Sequence, residues 1–121
     1  MARVLLVEDD RFLSSILAER FRDVGYEVIC AYDGDSAAAL AVERHFDAVL
    51  LDILLPGKDG FEVLAFLKSM DATKLIPVIV ISNLSDPKTV ERMMQSGAAS
   101  YVVKAHATPD SLIAEVKKVL V

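Results

Sequence analysis

Residues 4–10 read VLLVEDD. Val4 to Val7 is a continuous apolar run, the pattern of a strand covered on both faces. It ends abruptly in three acids, Glu8, Asp9 and Asp10. Similar apolar runs recur at Ala48 to Leu51, Val78 to Ile81 and Tyr101 to Val103, with a shorter candidate at Glu27 to Ala31.

Helical periodicities fill the spaces between. Leu13, Ile16, Leu17, Phe21 and Val24 recur at helical spacing and stop at Gly25. A second helix is expected from about Ser36 to Arg44, behind the turn Asp33, Gly34. The third begins with Asp59 and Glu62 at capping-box spacing and presents Val63, Leu64, Leu67 and Met70. The fourth opens at Asp86, Pro87 and closes at Gly97; the fifth opens at Thr108, Pro109 and carries Leu112, Ile113, Val116, Val119 and Leu120. A cap residue followed by proline is a specific start signal, because proline lacks the amide that the first helical turn leaves unpaired anyway. Strand then helix, five times, implies an α/β fold: a parallel sheet with helices on both faces, since right-handed crossovers lay each helix over the sheet. The expected architecture is a doubly wound three-layer sandwich forming one domain over residues 1–121.

Composition narrows the function classes. The chain has 121 residues, 54% hydrophobic, with 13 Lys and Arg against 18 Asp and Glu, a formal charge of -5. That balance gives no bulk attraction to nucleic acid or to an anionic membrane. No apolar run approaches the roughly 20 residues that span a bilayer. Cys30 is the only cysteine, so an intramolecular disulfide and a thiolate metal cluster are both excluded. With no separate targeting region before the first strand, a cytoplasmic protein is expected.

In such a sheet the functional crevice lies beyond the carboxyl ends of the central strands. Glu8, Asp9 and Asp10 emerge there from one strand and Asp52 from another. Three acids alone describe a solvated turn. Joined by Asp52 they describe converging carboxylates, which raise one another's pKa unless a cation is present. Hard oxygen ligands of this kind suit Mg²⁺, which keeps several waters and takes one or two carboxylates directly. Asp9 is the better direct ligand, while Glu8 and Asp10 compete for a supporting role through water. The other strand ends deliver Ser82, a hydroxyl donor, and Lys104, a compact cation for an acid or a phosphoryl oxygen. Carboxylates, Mg²⁺, a hydroxyl and a lysine together suit phosphoryl transfer. Asp52, alone at its strand end, is the candidate nucleophile.

With these residues in place, the chain resembles the receiver domains of two-component response regulators from Arg3 to about Leu120. VLLVEDD at 4–10 resembles the family's acidic strand end, with Glu8 and Asp9 as its acid pair. DAVLLDILLPGKDGFEVL at 47–64 resembles the phosphoacceptor segment, in which Asp52, Pro56, Asp59 and Gly60 match residue by residue. PVIVIS at 77–82 resembles the strand that ends in a Ser/Thr switch, and GAASYVVK at 97–104 the approach to the family lysine, with Tyr101 as the aromatic switch residue. The resemblance implies a flavodoxin-like sheet of order 2-1-3-4-5. It implies a phosphoryl group passed from a histidine kinase or histidine phosphotransfer domain to Asp52. Mg²⁺ would be held by Asp9, Asp52 and the main-chain carbonyl of Leu54, with Glu8 assisting through water. The activity would be self-catalysed phosphoryl transfer with weak autodephosphorylation. Ser82 and Tyr101 would switch a face made by the fourth helix, fifth strand and fifth helix. That face would serve a downstream protein, a fused output domain or a dimer partner.

Two positions depart from the family pattern. Asn83 stands where a small Ala or Gly is usual, and its side chain narrows the expected route of water to the phosphoryl site. Ala105 follows Lys104 where Pro is usual. A non-proline cis bond costs about 2.5 to 4 kcal/mol, so the Lys104–Ala105 peptide is expected to be trans. These departures favour the alternative, a degenerate receiver that acts only as an interaction or dimerisation module; the intact set of Glu8, Asp9, Asp52, Ser82 and Lys104 opposes it. A flavodoxin would cradle phosphate on small residues after the first strand, where this chain places acids. A dehydrogenase would need GxGxxG there.

Overall fold

The computed structural model describes residues 1–120; Val121, the last residue of the expected domain, lies outside them. Five strands and five helices alternate: β1 (Arg3–Val7), α1 (Arg11–Asp23), β2 (Glu27–Ala31), α2 (Gly34–Glu43), β3 (Ala48–Asp52), α3 (Gly60–Ser69), β4 (Val78–Ser82), α4 (Pro87–Gln95), β5 (Ser100–Val103) and α5 (Pro109–Val119). A 3₁₀ turn, Lys104–His106, joins β5 to α5. The sheet order is β2-β1-β3-β4-β5, and every pairing is parallel.

Strand alternation divides the core in two. Leu5, Val7, Val49, Leu51, Val78 and Val80 face one side, where they pack with Ala37 and Ala41 of α2, Val63, Leu64 and Leu67 of α3, and Met93 of α4. Val4, Leu6, Ala48, Leu50, Ile79 and Ile81 face the other, against Leu17, Ala18 and Phe21 of α1 and Leu112, Ile113 and Val116 of α5. Both sides being covered explains why the strands read as unbroken apolar runs. Each fully buried Leu, Ile or Val side chain contributes about 1.5 to 3 kcal/mol, so two such layers can offset the cost of a few buried polar groups at one edge.

Register fixes which residues reach that edge. Val7 lies beside Leu51, Asp52 beside Ile81 and Ser82 beside Val103. The next residues along β1 and β5, Glu8 and Lys104, therefore emerge beside Asp52 and Ser82. Helices α3, α4 and α5 start at the signals read at Asp59, Asp86 and Thr108, and Asp10 and Asp33 cap α1 and α2 as well; all five side chains accept first-turn amides. In α3 only half of the expected capping box forms, with Asp59 accepting the Glu62 amide at 2.9 Å.

Two expectations need correction. Helix α2 begins at Gly34 rather than Ser36, because Asp33 caps it by accepting the Ser36 amide at 2.7 Å; glycine is required at its first position, where a Cβ would lie 1.8 Å from the Lys58 carbonyl oxygen. The buried stripe of α1 is Ser14, Leu17, Ala18 and Phe21. Ile16 and Val24 are more than two-fifths exposed, and Ile16 instead borders an apolar cavity of about 150 Å³ with Leu13, Leu17, Ile81, Lys104 and Leu112. Cys30 is only partly buried, since β2 is an edge strand.

Candidate functional site

The carboxyl edge of the sheet gathers a compact charged cluster. Glu8, Asp9 and Asp52 each place a carboxylate oxygen within 4.8 Å of the others. Glu8 is fully buried and Asp52 only 4% exposed, whereas Asp9 is exposed. Lys104 reaches in from the 3₁₀ turn, with Nζ 2.7 Å from Asp52 Oδ2 and 2.5 Å from Glu8 Oε1.

Each acid is held differently. Asp52 Oδ1 accepts the amide of Ile53 at 2.7 Å. Glu8 Oε2 accepts the amide of Asp10 at 3.0 Å, while Oε1 is buried with only the Lys104 ammonium beside it. Asp10 Oδ1 is committed to the amides of Phe12 and Leu13. Burial pushes the Glu8 carboxyl above its ordinary value, against the pull of Lys104 and the Asp10 amide. Burial alone would lower the Lys104 ammonium, but its contacts with Asp52 and Glu8 prevail and leave it raised.

Such a cluster fits a divalent cation on the chemistry of its donors. All three are hard carboxylate oxygens, one lysine offsets at most one of their charges, and the exposed Asp9 opens the group to solvent. A metal ion can therefore be held by Glu8, Asp9 and Asp52.

A second line runs along the end of β4. Ser82, 1% exposed, accepts the Leu84 amide on Oγ at 3.1 Å, and the Tyr101 hydroxyl donates to the Leu84 carbonyl at 2.5 Å. Burial raises the Tyr101 phenol above its ordinary value. Ser82 and Tyr101 are thus joined through one intervening residue. Leu54 and Asn83, beyond the ends of β3 and β4, are exposed. All described peptide bonds are trans, Lys104–Ala105 included.

Gly60 has a part that periodicity does not reveal. Its amide donates to the Ile53 carbonyl at 2.7 Å, and a Cβ there would lie 2.5 Å from the Asp52 carbonyl oxygen and 2.6 Å from Ile53 Cα. Glycine is what allows the start of α3 to press directly on the Asp52–Ile53 backbone. The Asp59–Gly60 pair is the only trace of this in the sequence.

Residues 4–117 match the response regulator receiver domain family. The chain belongs to that family. As a receiver domain it is a phospho-accepting signalling module, and solved structures agree. It is similar to the chemotaxis response regulator CheY4 of Vibrio cholerae, with 29% identity, a TM-score of 0.92 and 99% of each chain covered. It is also similar to the receiver domain of a signal transduction histidine kinase from Syntrophus aciditrophicus, at 28% identity and TM-score 0.90, over 99% of this chain and 90% of that one. The fold is shared with the receiver domain of a sensor histidine kinase from Pseudomonas aeruginosa PAO1, at 24% identity and TM-score 0.89, over 98% and 97% of the two chains; that structure holds a magnesium ion in its active site cleft. No helix of this receiver domain, among the described residues, is long and apolar enough to cross a membrane.

Proposed function

We propose that Asp52 is the phosphoryl acceptor and that a histidine kinase or histidine phosphotransfer domain is the donor. One observation carries the reading: two buried carboxylates and one exposed carboxylate converge within 4.8 Å around a single lysine. Asp52 attacks the phosphorus of a phosphohistidine through a carboxylate oxygen. A P–O bond forms as the P–N bond breaks, and the imidazole leaves with the bonding pair and takes a proton from solvent. Lys104 is then free to exchange its hold on the Asp52 carboxylate for a phosphoryl oxygen. Ser82 turns its hydroxyl from the Leu84 amide to another such oxygen.

Mg²⁺ is the cation we infer, held by Asp9, Asp52 and the Leu54 carbonyl, with Glu8 acting through water. Both Glu8 carboxylate oxygens already face donors of the protein, which suits that indirect role. When bound, Mg²⁺ supplies charge neutralisation to the phosphoryl oxygens. Weak autodephosphorylation completes the cycle: water attacks phosphorus, and the Asp52 carboxylate and inorganic phosphate are released. Reorientation of Ser82 and Tyr101 changes the face of α4, β5 and α5, the surface we assign to a downstream protein, a fused output domain or a second copy.

Intact-mass measurement after exposure to Mg²⁺ and a small phosphodonor tests the acceptor. The wild type is expected to gain a single acid-labile phosphoryl group and Asp52→Ala none. An adduct that persists in Asp52→Ala overturns the assignment.

A further inference from the structure

We propose that the contact between Arg92 and Phe61 couples Asp52 to α4, by a route separate from the Ser82–Leu84–Tyr101 line. It rests on Asp52 being the phosphoryl acceptor. The Arg92 guanidinium lies over the Phe61 ring, 3.7 Å from Cζ to the ring centroid. Among the described residues Arg92 forms no ion pair, so the ring is the partner that orients its charge. Helix α4 needs such a hold: Met93 is its only buried residue, so little else fixes its position over the sheet.

Phe61 is mechanically tied to the acceptor. It follows Gly60, which donates to the Ile53 carbonyl at 2.7 Å, while the Ile53 amide donates to Asp52 Oδ1 at 2.7 Å. Gly60 packs so closely on the Asp52–Ile53 peptide that a Cβ would stand 2.5 Å from the Asp52 carbonyl oxygen. A phosphoryl group on Asp52 changes the charge and bulk of the carboxylate that the Ile53 amide grips. Any adjustment of that peptide must displace the first turn of α3 and the Phe61 ring with it. Arg92 then follows the ring or loses it.

The contact influences α4 only if it differs in strength between the two states. A guanidinium held over an aromatic face at a partly exposed site is able to bias a two-state ratio by about two- to fivefold. Charge is required on one side and a π face on the other. Arg92→Met and Phe61→Leu each remove one of these while retaining apolar bulk, and Arg92→Lys keeps the charge.

The experiment follows backbone amide shifts in full-length protein on adding beryllofluoride with Mg²⁺, together with intact mass after a small phosphodonor. In Arg92→Met and Phe61→Leu the response of Arg92 to Gln95 is expected to fall at least about twofold, while the responses of Leu84 and Tyr101 stay at the wild-type size. The double variant is expected to fall no further than either single one, Arg92→Lys to keep most of the response, and every variant to gain the same phosphoryl adduct. An undiminished α4 response in both single variants overturns the proposal, and so does a Tyr101 response that falls in parallel. If the wild type gains no adduct, the acceptor reading fails and the coupling with it; a normal adduct beside an unchanged α4 response overturns the coupling alone.

Discussion

The two edges of the sheet use the same kinds of charge in opposite ways. At the amino edge Arg3 Nε meets Glu27 at 3.1 Å, and Asp47 receives the Arg3 amide at 2.8 Å and faces the His45 ring at 3.1 Å. Each acid has its own donor, and the Arg3 and Glu27 side chains are 32% and 48% exposed. At the carboxyl edge Glu8 and Asp52 share the one ammonium of Lys104, and their side chains are 1% and 6% exposed. Water screens the first arrangement, so its pairs are worth about 1 kcal/mol or less each. In the second, desolvation works against charges that are not matched in number. An imbalance tolerated in the interior is a site prepared for something else to bind, whereas a balanced surface pair only adjusts stability.

Removing the lysine breaks this contrast most severely. Lys104→Met leaves Glu8 and Asp52 buried with no cation, and a loss of about 3 kcal/mol at neutral pH is expected in urea unfolding without Mg²⁺. Glu8→Gln in that background is expected to recover most of it, because one uncompensated charge is gone. Equal stability of wild type and Lys104→Met would mean that the cluster is neutral in the folded state. The raised pKa of Lys104 sets the sign of the alkaline limb. Its stabilisation is complete below the ordinary lysine value of 10.5 and is lost as pH rises through the higher value of the folded protein.

A smaller effect separates neighbours in one turn. Mg²⁺ at a hundred times its dissociation constant is expected to add about 2.7 kcal/mol to the wild type. Asp9→Ala is expected to abolish most of that gain with little change in the metal-free protein. Asp10→Ala is expected to keep the gain but lose about 1 kcal/mol throughout, since it removes the α1 cap. Calorimetric Mg²⁺ titrations that weaken equally in both variants would show that the register of the acids is misassigned.

At the amino edge, Arg3→Ala should cost about 1 kcal/mol or less, and the cost should shrink in high salt. A loss near that of Lys104→Met would erase the distinction between the edges. The least change per group is expected on acidification. The Arg3 amide holds Asp47 low, the Ser36 amide and hydroxyl hold Asp33 low, and the Thr89 hydroxyl and amide hold Asp86 low. Their contribution is present above the ordinary value of 3.8 and fades as pH falls through the lower folded values. Thermal melts from pH 5 downward should therefore decline gradually, and Asp47→Asn should flatten part of that slope.

The sheet was legible because burial on both faces writes each strand as an apolar run, and the helix starts because Asp-Pro and Thr-Pro leave little else for the chain to do. Asp9, Asp52, Ser82 and Lys104 were legible at one edge because each follows or ends a strand, and parallel strands in register end together. The parts that escaped depend on neighbours distant in sequence. The buried stripe of α1 runs through Ser14 and leaves Leu13 and Ile16 on the side of the cavity that Leu112 of α5 closes, and the Gly60 contact reflects the return of α3 onto β3. Whether Glu8 or Asp10 joined the cluster was undecided in the sequence, because one turn offers three carboxylates and only backbone geometry says which of them caps α1. Arg92 over Phe61 left no pattern at all, since cation and ring lie on different helices.

The strand order has a consequence in time. β1 and β3 are neighbours, so Glu8 and Asp52 both belong to a pair made from the first 52 residues, while Lys104 enters on the 3₁₀ turn after the last strand. A chain emerging from the ribosome amino end first therefore holds its acids before the base that steadies them has been synthesised. Until β5 docks, only solvent and dissolved cations can quiet that repulsion. Refolding rates should accordingly respond to millimolar Mg²⁺ more in the wild type than in Asp9→Ala, which makes the cation a participant in the birth of the molecule as well as in its later work.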